Sequence, residues 1–259
     1  DLFSLSALGP VVALVLLVIL GASLNDNFLS SGNITNVLAR SAFIGMIAVG
    51  MTFVITSGGL DLSVGSMAAF IAGMMILAMN ALIPTLGVGV PLVLAGMAVA
   101  LGVGLLAGLC NGLLVTKAGI EPFIVTLGTM GMIRGLAKGI AKERDIYPPE
   151  ECWINNIMDP TLSSTTKSWQ ILPTGIWILL AGVLVSSFIL RYTRLGRHIF
   201  AVGSNEETAR LCGVPVGRTK LFVYMAGGFF CGVAGLMQFS YIGGIGQPTS
   251  AVMYELFVI

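Results

Sequence analysis

Apolar residues run in seven long blocks along the chain: Leu8–Leu24, Val37–Ser57, Leu62–Ile83, Leu86–Val115, Pro122–Ile140, Ile171–Leu190 and Leu221–Ile242. A helix needs about 20 such residues to cross a bilayer. An eighth block opens near Tyr254, and the sequence stops inside it at Ile259. A span ending there would leave backbone groups unpaired in hydrocarbon. The pattern therefore predicts an all-α, polytopic transmembrane bundle of about seven to eight spans, with C-terminal helices missing. Residues 1–259 read as a single transmembrane domain. The fourth block is long enough to tilt or to contain a break.

Composition agrees with this pattern. Hydrophobic residues make up 56% and charged residues 10% of the 259 positions, against about a quarter charged in soluble domains. Mean hydropathy is +0.96. This excludes a disordered chain and argues against a water-soluble enzyme. A net charge of +1 gives no sign of nucleic-acid binding. Cys110, Cys152, Cys212 and Cys231 form no CxxC pair, so neither a disulfide framework nor a zinc site is expected. The first block lacks a preceding basic region and reads as a span rather than a signal peptide.

Basic residues set the orientation. Six of the 13 Lys and Arg fall between Arg191 and Lys220, which places residues 191–220 in the cytosol. Counting back puts Lys117 and the N-terminus inside and the polar stretch 143–170 outside. Trp153, Trp169 and Trp177 lie in or beside that stretch, as an outer interfacial belt requires. Arg134, Lys138, Lys142 and Arg144 run against the rule, partly offset by Glu143 and Asp145.

Within the cytosolic segment, Ser204-Asn205-Glu206-Glu207 reads as a capping box, with Ser204 as cap and Glu207 reaching back. Gly213 stops the helix and Pro215 forbids its continuation. The result is a short helix over Asn205–Cys212. A helix of this length is not stable alone, so it packs on its own chain or on a partner.

Thr56–Gly65 joins two apolar blocks with almost no loop. Its glycine pair followed by Asp61 and Ser63 breaks one helix and starts another. A carboxylate at membrane depth faces a cavity or a partner, and broken helices line transporter sites. Asp61 alternatively caps the third span near the cytosolic surface. Asn111, Thr126, Thr129, Gln238 and Tyr241 lie within apolar blocks. They are candidates, with Asp61 and Ser63, for a path taken by a hydroxyl-rich solute, or for interhelical hydrogen bonds. Gly104, Gly108 and Gly112 form one smooth helix stripe and Gly131, Gly135 and Gly139 another, for static packing or a moving interface.

Catalytic machineries are missing from the sequence. His198 is the sole histidine, so no histidine-based metal set is possible. Gly213–Thr219 lacks the ending of a Walker A loop. The chain is expected to be no enzyme, with no catalytic residue, metal or cofactor of its own.

Several stretches resemble the membrane permease subunits of bacterial ABC importers for ribose-, xylose- and galactoside-type sugars, in the branched-chain amino-acid permease superfamily. They are Gly50–Val54, Gly58–Gly65, Asn111–Val115, Pro122–Thr129, Arg134-Gly135, Thr193–Arg197 leading through Ala201–Glu207 to Ala209 and Gly213, and Tyr254–Leu256. The resemblance implies an inner-membrane, multi-pass permease importing a monosaccharide or related polyol. ATP and Mg would be bound by a cytosolic ABC ATPase. A periplasmic or lipid-anchored sugar-binding protein would deliver the solute, and a second permease copy or a sister permease would complete the pore. Residues 191–220 would be the coupling segment, with Gly203, Ser204, Asn205, Glu206, Glu207, Ala209, Arg210 and Gly213 facing the ATPase. Thr208 departs from the family's usual alanine, and residues 143–170 are unusual in composition. The rival reading, a secondary carrier driven by an ion gradient, would want several buried acids, where only Asp61 and Glu255 qualify.

Overall fold

The computed structural model describes residues 5–141, 146–149, 152 and 173–241. Nine α-helices occur among them: α1 (Leu5–Leu24), α2 (Ser31–Thr56), α3 (Val64–Leu86), α4 (Val90–Thr116), α5 (Pro122–Ala141), α6 (Thr174–Tyr192), α7 (Arg194–Ser204), α8 (Glu206–Leu211) and α9 (Val216–Tyr241). Helices α2 to α6 and α9 are each long and apolar enough to cross a membrane. A helix pairs its interior backbone donors and acceptors within itself, as hydrocarbon demands. The chain is a multi-pass membrane protein.

The spans follow the apolar blocks to within a few residues. The first block forms α1, whose apolar part Val11–Leu24 is shorter than the others. Leu14, Leu17 and Ile19 on it point outward, each at least 60% exposed. The fourth block breaks near its start: Leu86 ends α3, residues 87–89 are not helical, and α4 then runs unbroken over 27 residues. The eighth block and Glu255 lie outside the described residues, as does most of 143–170. From that stretch, Tyr147 offers its carbonyl to Asn80 Nδ2 on α3 at 2.9 Å.

Helix α9 is the hub. It packs against α2, α3 and α4, and its Val223, Cys231, Ala234 and Phe239 are fully buried. Glycine makes the α4–α9 approach possible. A Cβ on Gly104 would lie 2.3 Å from the Gly228 carbonyl oxygen, and one on Gly228 would lie 2.1 Å from that of Gly104. One on Gly108 would lie 2.3 Å from the Tyr224 carbonyl oxygen. The first glycine stripe is therefore a backbone-to-backbone seam. The second differs: among the described residues, no atom lies within 4 Å of a Cβ built on Gly131, Gly135 or Gly139. That face of α5 is open.

Candidate functional site

The segment between α6 and α9 folds as two helices meeting at a corner. Thr193 caps α7, its Oγ1 accepting from the Gly196 N–H at 3.2 Å. Gly196 sits against the end of α6, where a Cβ would lie 2.1 Å from the Leu190 carbonyl oxygen. Helix α7 buries Gly196, Ile199 and Val202. Helix α7 is not expected from the capping and stop residues that mark α8. The apolar positions Leu195, Ile199 and Val202, spaced four and three apart, are the signal that marks it.

Helix α8 is capped differently from the expectation. Asn205, not Ser204, is the N-cap, and its Oδ1 accepts from the Thr208 N–H at 2.8 Å. Ser204 ends α7 and donates its hydroxyl to the Phe200 carbonyl at 2.9 Å. Two helices abut here with one residue between them, and that residue takes the cap of the second. Glu207 does not take part in the cap. Glu206 pairs with Arg210 at 3.1 Å and with Lys220 on α9 at 2.5 Å. Gly213 ends the turn with φ +80, a conformation that glycine adopts without strain.

The helix is seated on its own chain by Ala209, which packs with Val202 and Val216. Its other face is open. Glu207, Thr208 and Arg210 are exposed, and Leu211 is 84% exposed.

Helix α7 also reaches the helix break. Gly203 lies on the end of α2, where a Cβ would sit 1.9 Å from the Thr56 carbonyl oxygen. Gly58, with φ +78, faces Gly203 Cα. A cleft of about 410 Å³ is bounded by Gly58, Glu121, Glu206 and Lys220. The break, the α4–α5 connection and α8 therefore share one end of the bundle.

At the break, Asp61 is 1% exposed and Ser63 fully buried. Asp61 Oδ1 accepts from the Ser63 N–H at 2.9 Å and from its hydroxyl at 2.6 Å. Asn111 Nδ2 on α4 donates to Ser63 Oγ at 3.0 Å. The Tyr224 hydroxyl on α9 donates to the Leu60 carbonyl at 3.4 Å. Asp61 Oδ2 has no hydrogen-bond partner among the described residues. The carboxyl lies in the connection outside α2 and α3. Burial raises its pKa, and the Ser63 and Asn111 hydrogen bonds pull it partly back. Asp61 lies at the same end of the bundle as α8 but does not cap α3: Ser63 is the N-cap residue, and Asp61 Oδ1 bonds to Ser63.

The other path candidates are not gathered around it. Thr126 and Thr129 bond back to the Pro122 and Val125 carbonyls of their own helix. Gln238 and Tyr241 lie at the far end of α9, and the Tyr241 ring packs on Phe43 at 5.9 Å. A 26-residue helix is about 39 Å long. The candidates thus divide between the two ends of the bundle.

A polytopic helical bundle whose buried polar break and solvent-facing helical segment share one end has the architecture of a membrane permease. Residues 33–259 match the family described as Branched-chain amino acid transport system / permease component, and the chain belongs to it. Among similar proteins, the ribose import permease protein RbsC of Haemophilus influenzae is 35% identical over 96% of this chain and 73% of its own length. The L-arabinose transport system permease protein AraH of Escherichia coli is 34% identical over 97% of this chain and 71% of its own. The fructose import permease protein FruG of Bifidobacterium longum is 32% identical, covering 96% and 71%. No solved structure matches the chain.

Proposed function

We propose that the chain is the transmembrane subunit of an ABC importer that carries a monosaccharide or related polyol across the bacterial inner membrane. ATP is bound with Mg and hydrolysed by a separate cytosolic ATPase that docks on α8. A sugar-binding protein delivers the solute on the opposite side, and a second permease subunit completes the pore. The sugars named for the relatives, two pentoses and a hexose, support the substrate class. Asn111, Ser63 and Asp61 are buried and bonded to one another near the cytosolic end, so in this conformation they hold the break closed rather than line an open path.

The observation that carries the docking assignment is α8 itself. It is capped at both ends, seated by Ala209, and presents Leu211 and Glu207 to solvent. Purification of the full-length chain from its native membrane tests it. A Walker-type ATPase is expected with the wild type and lost with the Glu207→Lys/Leu211→Glu double variant. Glu206 is left intact because it holds α8 to α9. Absence of an ATPase from an intact wild-type preparation overturns the importer. Its retention by the double variant moves the dock elsewhere.

A further inference from the structure

We propose that the 57–63 break is a mechanical relay between the docking segment and the core, with Gly203 and Asp61 as positioning residues at its two ends. The proposal rests on the docking of an ATPase at α8 and adds where its movement goes.

The cytosolic end of the relay is the contact of Gly203 with Thr56. It is backbone on backbone, since a Cβ on Gly203 would fall 1.9 Å from the Thr56 carbonyl oxygen. No side-chain rotamer lies between the two to absorb a displacement, and close-packed atoms transmit it. Gly203 lies on α7, outside the α8 face with Glu207 and Leu211 to which docking is assigned.

Beyond Thr56 the chain is built to turn. Gly58 and Gly59 follow, Gly58 in the left-handed region that glycine adopts without strain, and their N–H groups donate to the Ile55 and Val54 carbonyls, which ties the turn to the end of α2. The chain is then tied at three points. Leu60 is bonded to Tyr224 of α9, Asp61 to Ser63, and Ser63 to Asn111 of α4. A shift at Thr56 therefore reaches α3, α4 and α9 through polar contacts.

Asp61 supplies a second, independent sign. Oδ1 accepts both the N–H and the hydroxyl of Ser63. Oδ2 is buried without a partner among the described residues, and an unsatisfied buried acceptor is costly. An arrangement in which Oδ2 gains a partner is the alternative state of the relay.

Amide hydrogen exchange on the full-length permease with its ATPase, in lipid nanodiscs, tests this with and without a non-hydrolysable ATP analogue. Residues 205–212 and 57–63 are expected to change exchange together, by tenfold or more. In the Gly203→Ala complex the ATPase still copurifies and 205–212 still responds, while 57–63 does not, and sugar transport falls at least tenfold. A response confined to 205–212 in the wild type overturns the relay and leaves the docking intact. Wild-type transport by Gly203→Ala overturns it also. If no ATPase copurifies with the wild type, the importer reading and the relay fall together. Should Gly203→Ala not accumulate, the wild-type exchange alone decides.

Discussion

Lys220 Nζ lies 2.5 Å from Glu206 Oε2, so the first residue of α8 is tied to the first turns of α9, 14 positions later. Arg210 takes the other oxygen of the same carboxylate. The tie makes α8 an outgrowth of the hub helix rather than a loose loop. Both partners are partly exposed, so the pair contributes at most about 1 kcal/mol and is screened by salt. Glu206→Gln is expected to lower the melting temperature of the detergent-solubilised protein slightly at low salt and not at high salt. An equal loss at both salts would show that packing, not charge, holds α8.

Asn205→Ala removes the cap of α8 and should cost about 1 kcal/mol locally. Ser204→Ala should cost much less, because its hydroxyl bonds back within α7. Limited proteolysis at Arg210 separates the two: faster cleavage is expected for Asn205→Ala alone. The reverse order would restore Ser204 as the cap.

The α4–α9 seam admits no side chain. Gly104→Val places methyl groups inside the Gly228 peptide, and overpacking of this kind costs about 1–3 kcal/mol or more. Gly102→Ala, two positions away with nothing within 4 Å of its Cβ, should be neutral. Thermal unfolding in one detergent compares them, and equal midpoints would remove the seam from the account of stability.

Asp61 gives a pH dependence with a definite sign. Its folded pKa is raised by burial, so the folded chain binds the proton more tightly than the unfolded one. Stability is then lost as pH rises from the ordinary aspartate value of about 3.9 up to the folded pKa. Asp61→Asn removes this loss and keeps an acceptor for Ser63. The difference in melting temperature between variant and wild type should grow in the variant's favour as pH rises from about 4. A difference that stays flat with pH would mean that Asp61 does not bind its proton more tightly in the folded chain.

The sequence showed the spans because hydrocarbon leaves the backbone one solution, so block length alone locates α2 to α6 and α9. It showed the glycine stripes but not their fates. Gly104 meets Gly228 over a hundred positions later, while Gly131 meets nothing, and spacing within one helix carries no record of its neighbour. The position of the cap slipped by one residue because Ser204 and Asn205 are both good caps. Only the end of α7, whose basic residues made it read as loop, decides between them. The path candidates were read as one set because each is polar in an apolar block. Depth separates Asn111 from Gln238, and depth follows from where each helix starts.

The lateness of α9 in the chain has a consequence for synthesis. Its slot is formed by α2, α3 and α4, the last of which ends at Thr116, whereas α9 begins at Val216. At bacterial rates of about 5–20 residues per second, α4 waits roughly 5–20 s in the bilayer for its partner. During that interval the notched face of Gly104, Gly108 and Gly112 lies against lipid or against whatever the insertion machinery supplies. The Gly104–Gly228 seam therefore cannot close until the chain has been made through Gly228.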